Sequence, residues 1–294
     1  MDEPLLSLAN ITRSFGAINA LKEVSFDVKP GEVMGLVGEN GAGKSSLVKI
    51  IGGFDSGFSG RLIFAGKQVR FSGPVMAERA GIAIAQQELS LIPTMSVAEN
   101  VLLVGDNVPK IATKRHLTKL VKPFLLEVGL DYIDPATSVE RLSVGERHLV
   151  EVARLIAHDP QLLILDEPTA ALGETDSIRI LEMVERLVKR GKSVIYVSHR
   201  LDEIFKICDR ITILRDGRSV AVKNTQELSV SKLVNLMLGR ELENMFPKRI
   251  SSCSKTPLLK VRNLWPDGLL EPVDIDVFPG EILGLAGQLG SGTG

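Results

Sequence analysis

The sequence has little that would brace it covalently or anchor it in a bilayer. Cysteine occurs only twice, as Cys208 and Cys253, in no metal-ligand spacing. A disulfide framework or zinc site is therefore not expected, and a reducing cytosol fits best. No window approaches the ~18 uninterrupted apolar residues of a membrane span. The opening Met1-Asp2-Glu3-Pro4 lacks the basic and apolar stretches of an export signal, so the Asn10-Ile11-Thr12 sequon is given no role. Net charge is equally scarce. The 35 Lys and Arg against 36 Asp and Glu leave a formal −1 and no basic footprint, so no nucleic acid is expected as a partner. What is present is apolar material, 44% of 294 residues, enough for a sizeable core in one large domain or two ordinary ones.

Short apolar runs alternate with helical stretches, the pattern of an α/β domain with a largely parallel sheet. Residues 33–37, 82–85, 162–165 and 194–197 are continuous apolar runs, expected as buried central strands. Residues 5–11 and 24–28 alternate like half-exposed strands. Helices are expected over 44–51, 97–103, 114–128, 144–157, 176–189 and 201–207. Asp216-Gly217 is expected to turn a hairpin between 211–214 and 218–222. From about 88 to 143 the pattern is helical with no strand, so this stretch reads as a helical insertion between sheet strands. A polar stretch near 248–256, flanked by Pro247 and Pro257, marks a linker. The expected division is a domain over 1–245, a linker over 246–256, and the incomplete start of a second domain over 257–294. A tail of that length cannot enclose an α/β core, so it is expected to be partly disordered or packed on the first domain, and the chain is expected to be a truncated one.

Two glycine-rich signatures organise the chain. The first runs from Pro30-Gly31-Glu32 through Gly38-Glu39-Asn40-Gly41-Ala42-Gly43-Lys44-Ser45 and satisfies G-x-x-x-x-G-K-S. The second runs from Pro279-Gly280-Glu281 through Gly287-Gln288-Leu289-Gly290-Ser291-Gly292-Thr293, with Thr293 where the lysine should be. Residues 258–264 also resemble residues 5–11, so the repeat includes the opening strands. A strand feeding such a loop, which then opens a helix, presents backbone N–H groups and the positive helix end to an anion. Glycines at 38, 41 and 43 let the backbone curl closely, Lys44 would reach the β and γ phosphates, and the Ser45 hydroxyl is offered to Mg²⁺. Ser46 belongs to the same helix start. Downstream, the apolar run 162–165 ends in Asp166-Glu167, placing two carboxylates at the C-terminal end of a strand. Beside a phosphate loop, Asp166 would hold the metal through water and Glu167 would face the attacking water. Ser143-Val144-Gly145-Glu146 has the spacing of a capping box, a sufficient explanation of Ser143 and Glu146 and also a helix end that attracts phosphate.

Leu142-Ser143-Val144-Gly145-Glu146 resembles the signature of the ATP-binding subunits of ABC transporters, usually L-S-G-G-Q, and the match extends over residues 5–240. Gln87-Glu88-Leu89-Ser90-Leu91-Ile92-Pro93 with Ser96-Val97-Ala98-Glu99-Asn100, and Asp166-Glu167-Pro168-Thr169-Ala170-Ala171-Leu172, resemble the tandem ATPases of bacterial monosaccharide importers. That resemblance implies a P-loop NTPase fold with an antiparallel β subdomain and a helical insertion, and an ATP hydrolase that powers sugar import. It implies ATP and Mg²⁺ as ligands and a place on the inner face of the cell membrane. Gln87 resembles the glutamine that senses metal and γ-phosphate; its neighbour Gln86 competes for the assignment. His199 resembles the switch histidine on the γ-phosphate, and Phe15 the aromatic that stacks on adenine, with plain core packing as its alternative. Val144 and Glu146 depart from the usual signature, and Gly173 stands where an acidic residue is common.

ABC domains pair head to tail, so the resemblance implies that Lys44 faces another domain's signature while residues 143–146 face a second loop. The implied partners are a second ABC domain or another copy, a transmembrane permease reached through the helical insertion, and indirectly an external sugar-binding protein. With Thr293 in place of lysine, one competent and one weak site are expected. The competing readings are a non-transport ABC ATPase acting on ribosomes or DNA, which would need a basic arm or charged coiled coil, and a nucleotide-binding fragment without turnover.

Overall fold

The computed structural model describes residues 3–85, 90–103, 113–170, 172–239, 256–265 and 271–286. The chain clusters into two units, Met1–Glu241 and Leu242–Gly294. The first unit runs β1 Leu6–Phe15, β2 Ile18–Val28, β3 Val33–Val37, α1 Lys44–Ile51, β4 Ser59–Phe64, β5 Lys67–Val69, α2 Pro74–Ala80 and β6 Ile82–Ala85. It continues with α3 Val97–Leu102, α4 Lys114–Glu127, α5 Val144–Ile156, β7 Leu162–Asp166, α6 Glu174–Lys189, β8 Ser193–Val197, α7 Leu201–Ile207, β9 Arg210–Arg215, β10 Arg218–Asn224 and α8 Val230–Leu238.

Six strands form the central sheet in the order β10-β9-β3-β8-β7-β6. All neighbours are parallel except the β9–β10 hairpin. The continuous apolar runs follow from burial on both faces. Met34, Leu36, Leu162, Ile164, Ile195 and Val197 point into one core, and the intervening Val33, Val37, Leu163, Leu165, Val194 and Tyr196 point into the other. Because side chains alternate along a strand, a strand covered on both sides needs apolar residues at every position. Each fully buried aliphatic contributes about 1.5–3 kcal/mol. The first core is closed by α1 and by an antiparallel sheet ordered β2-β1-β4-β5. The second is closed by α5 and α6 and, further out, by α3 and α4. Cys208 is a buried free thiol in that second core, and Cys253 falls outside the described residues.

The expected central strands and helices form within one to two residues of their expected ends. The strand expected over 5–11 begins at Leu6 and runs on to Phe15, and that expected over 24–28 already starts at Ile18. Four elements had no expectation: β4, β5, α2 and α8. Between 90 and 143 the described residues hold α3, α4 and a short 3-10 turn at Val139–Arg141 but no strand, as the reading of a helical insertion requires. Among them only an isolated bridge joins Ser96 to Ser138.

The second unit contains β11 Leu259–Leu264 paired antiparallel with β12 Val273–Val277. It repeats details of β1 and β2. Both first strands carry an asparagine in the left-handed region, Asn10 at φ 53° and Asn263 at φ 48°. Each sits at a register break, between Leu8 and Ile11 in one and between Val261 and Leu264 in the other. Each asparagine N–H donates to the strand opposite, Asn10 to Ser25 Oγ at 2.8 Å and Asn263 to Asp274 Oδ1 at 2.7 Å. The turn that follows is also shared. Lys29 N–H donates to Glu32 Oε2 at 2.6 Å and Phe278 N–H to Glu281 Oε2 at 2.8 Å, with Gly31 at φ 69° and Gly280 at φ 76°. The linker expected at 246–256 falls outside the described residues except for Thr256, as does the second glycine-rich loop from Gly287 to Thr293.

Candidate functional site

Every residue of β3 is buried, and the strand delivers the chain at Val37 into the loop that starts α1. The loop can form because of its glycines. A Cβ on Gly38 would lie 2.4 Å from the Leu214 carbonyl oxygen, and Gly43 combines φ 105° with an imaginary Cβ 2.8 Å from the Ala20 oxygen. α1 begins with no side-chain cap, so its first N–H groups are left for a ligand. Lys44 is only 7% exposed and curls back over the loop, its Nζ donating to Gly38 O at 2.7 Å and Glu39 O at 3.1 Å. Burial pulls its pKa down, against the pull of the Glu167 and Asp166 carboxylates. An ammonium held by two backbone carbonyls and short of solvent is an anion site.

Around this loop lies a cleft of about 470 Å³. Asn40, Gly41, Gly43, Lys44, Ser45 and Ser46 form one side, with Glu167 at its edge. The opposite wall is built by Ile18, Asn19, Ala20 and Lys22 of β2 and by the Asp216-Gly217 turn. Two backbone bonds fix that wall to the loop: Gly217 N–H donates to Ala42 O at 3.2 Å, and Lys22 N–H to Gly217 O at 2.7 Å.

The carboxylates stand where β7 ends. Burial raises the Asp166 pKa and Glu167 raises it further, with Lys44 and Lys49 opposing. Glu167 takes φ 51°, an uncommon conformation for a residue with a side chain, and its N–H donates to Val197 O at 2.9 Å on the neighbouring strand. Just beyond that strand, His199 Nδ1 lies 3.4 Å from Glu167 Oε1. The Glu167–His199 pair therefore comes from the ends of two adjacent parallel strands, the usual location of a site in an open α/β sheet.

At the start of α5, Ser143 and Glu146 form the expected capping box, with Glu146 N–H donating to Ser143 Oγ at 3.2 Å and Ser143 N–H to Glu146 Oε2 at 2.8 Å. The Tyr132 hydroxyl also donates to Glu146 at 2.9 Å. Burial raises the Glu146 pKa, but these hydrogen bonds outweigh it and hold the carboxyl low. Val144 is 52% exposed. Gly145 is required by the fold, because its Cβ would meet the Asp176 carboxylate at 2.2 Å.

The family model for ABC transporter matches residues 21–170, from the cleft wall through the phosphate loop and capping box to the paired carboxylates. The chain belongs to the ABC transporter family. A ribose import ATP-binding protein of Rhizobium meliloti (strain 1021) is 39% identical over 288 residues, 98% of this chain and 56% of that protein. One from Geobacillus kaustophilus (strain HTA426) is 40% identical over 293 residues, 98% and 58% respectively. The chain thus spans a little over half the length of the curated relatives it matches. Among solved structures, a nucleotide-free ATP-binding cassette from an ABC transporter superposes with a TM-score of 0.70 at 25% identity, covering 84% of this chain and 100% of that one. A dimeric cassette bound to ADP and Pi superposes with a TM-score of 0.65 at 26% identity, covering 75% of this chain and 98% of that one.

Within this ABC cassette the expected site residues fall into four groups. Asn40, Gly41, Gly43, Lys44, Ser45, Ser46 and Glu167 line one cleft, with Gly38, Glu39 and Ala42 in the loop behind them. Asp166 and His199 adjoin through Lys44 and Glu167. Ser143, Val144, Gly145 and Glu146 do not line the cleft. Phe15 does not either: it is 49% exposed at the end of β1, and the Arg13 guanidinium sits 4.3 Å from its ring centroid. Gln87 falls outside the described residues. What sequence reasoning missed is the far wall. Asp216-Gly217 was legible as a hairpin turn, but its docking onto Ala42 and Lys22 depends on long-range pairing that no local pattern announces.

Proposed function

We propose that this ABC cassette binds Mg-ATP at the Lys44 cleft and hydrolyses it to drive sugar import through a transmembrane permease. The observation that carries the reading is the buried Lys44 ammonium on a phosphate loop with the Glu167–His199 pair at its edge. The import ATP-binding relatives add the transport role and the sugar.

In this reading Lys44 and the free N–H groups at the start of α1 hold the β and γ phosphates, and the base reaches past the cleft lining to stack on the exposed Phe15, which carries Arg13 against its ring. Glu167 orients a water in line with the γ-phosphorus and takes its proton as the new P–O bond forms and the bond to the β–γ bridging oxygen breaks. His199 donates to the γ-phosphate and steadies the developing charge with Lys44. The residues present suit a divalent cation, because β7 ends in two adjacent carboxylates, Asp166 and Glu167, and Glu167 lines the same cleft as the Ser45 hydroxyl. Ser45, Asp166 and Gln87 would hold Mg²⁺, which when bound neutralises phosphate charge. Residues 143–146, which do not line this cleft, would contact a nucleotide held by a second ABC domain or another copy, and the dimeric cassette with ADP and Pi supports such pairing. The helical insertion would meet the permease on the inner face of the membrane, with an external sugar-binding protein linked indirectly. No described helix is long and apolar enough to cross a membrane.

The test is Mg-ATP hydrolysis per chain as protein concentration rises, with Glu167→Gln as the blank. A rate per chain that climbs with concentration is expected if copies complete each other's sites. A wild-type rate equal to the blank, both for this chain alone and in complex with its permease, would refute the hydrolytic reading.

A further inference from the structure

A buried carboxylate outside the cleft ties together the two strand ends that carry the Glu167–His199 pair. Glu203, in the first turn of α7, is 2% exposed. Its Oε2 accepts from Thr169 Oγ1 at 2.8 Å, from Tyr196 OH at 2.8 Å and from Ser198 Oγ at 3.3 Å. Its Oε1 pairs with Arg200 at 3.0 Å. Thr169 lies two residues after Glu167, while Ser198 and Arg200 flank His199. Arg200 N–H also donates to Ser198 Oγ at 3.0 Å, and its guanidinium reaches Ser177 Oγ on α6 at 3.2 Å. We infer that Glu203 is a positioning residue for ATP hydrolysis, holding the loop after β7 against the loop after β8 so that Glu167 and His199 meet.

The chemistry of the cluster favours a clamp. All three partners of Oε2 are hydroxyls that can donate to it, while Oε1 has no hydrogen bond and is balanced by the Arg200 guanidinium at 3.0 Å, so the three hydroxyls carry the directional part of the clamp. Burial, and then the Glu203 charge, push the Tyr196 phenol far up, so it remains a donor throughout the working range. Glu167 itself sits at φ 51° and needs its surroundings to hold it there. Its own backbone supplies one tie, to Val197 O at 2.9 Å, and the turn closed by Ala170 N–H on Glu167 O at 3.2 Å supplies another. The Thr169–Glu203 bond anchors that turn to α7. Glu203 touches neither phosphate nor water in this scheme. It acts through where it puts the loops.

The inference rests on the hydrolytic reading of the site, and the experiment separates the two. In the complex with the permease, Glu203→Gln and Glu203→Ala are expected to lower kcat by about tenfold or more, since misplacement of a reacting group by an ångström can cost up to about a hundredfold. KM for ATP, and ADP affinity measured in this chain, should stay within about twofold, because the phosphate loop is untouched. Thr169→Val removes one donor and should lower kcat in the same sense, with Thr169→Ser restoring it. A crystal structure of Glu203→Ala should show the 3.4 Å contact between His199 and Glu167 lost. Thr169→Val keeps the test decisive if Glu203→Ala does not fold. An unchanged kcat in Glu203→Gln and Thr169→Val, nucleotide affinity falling in step with kcat, or an intact 3.4 Å contact in Glu203→Ala would each overturn the assignment. Normal turnover by Glu167→Gln would instead sink the hydrolytic reading, and this inference with it. A dead Glu167→Gln beside active Glu203 variants would sink the positioning role alone.

Discussion

Replacing Gly43 and Gly41 separately by alanine divides the energetics of the phosphate loop into a backbone part and a packing part. Both glycines have positive φ, 105° and 82°. An L-residue held in left-handed territory costs about 1–2 kcal/mol. Gly41→Ala meets nothing more, because its Cβ would have no atom within 4 Å. Gly43→Ala meets Leu21 Cδ2 at 2.7 Å and the Ala20 carbonyl oxygen at 2.8 Å. The leucine is fully buried, and the carbonyl is backbone on a strand tied to Gly217 through Lys22, so neither retreats freely. Overpacking of this kind adds about 1–3 kcal/mol. Gly43→Ala should therefore cost roughly 2–5 kcal/mol against roughly 1–2 for Gly41→Ala. For a unit of this size that corresponds to a drop in Tm of roughly 4–20 °C against roughly 2–8 °C. The assay is thermal and guanidinium unfolding of the nucleotide-free chain by far-ultraviolet circular dichroism. Tryptophan fluorescence is unsuitable, because the single tryptophan, Trp265, belongs to the second unit. Equal losses in the two variants would refute the packing argument.

Two further perturbations address the charges. Lys44→Met removes the ammonium aimed at the phosphates and should weaken ATP binding by at least about tenfold, since a charged hydrogen bond contributes about 1.5–3 kcal/mol; calorimetric titration giving equal affinities would contradict this. Asp166→Asn should raise the stability of the nucleotide-free chain at neutral pH, because the folded-state carboxyl is pushed above the ordinary 3.8 and its ionisation penalises folding as pH rises through the folded value. The advantage should vanish as pH falls below 3.8, so a Tm difference independent of pH from 7 to about 3.5 would overturn the sign.

The legibility of this chain follows the range of the interactions. The central strands could be read because burial on both faces forces an unbroken apolar run, and α1 because its loop motif is contiguous. β4 and β5 could not. β4 opens with the polar Ser59-Gly60-Arg61, and β5 is three residues long; both exist because Leu6 pairs with Phe64 and Leu62 with Val69 across the sheet. α2 has seven residues and buries only Ala77, too few to give a helical period. The site divides in the same way. Lys44, Ser45 and Glu167 announced themselves through local motifs, while Ile18, Asn19 and Lys22 enter the cleft only after β2 has been placed against the Asp216-Gly217 turn. Glu203 gave no signal beyond being an acid in the first turn of a short helix, because its partners sit on two strand ends, Thr169 after β7 and Tyr196, Ser198 and Arg200 at the end of β8, that only the sheet brings together.

The shared bulge of the two hairpins also fixes what differs between them. Ile11 pairs with Val24 across 13 positions, and Leu264 with Val273 across 9. The four residues lost from the second copy come from the stretch that, in the first, carries the hairpin tip and the Ile18 to Lys22 edge of the cleft. The segment that corresponds to the first cleft's Ile18 to Lys22 edge is thus shorter in the second copy, whose glycine-rich sequence also carries Thr293 at the position matching Lys44.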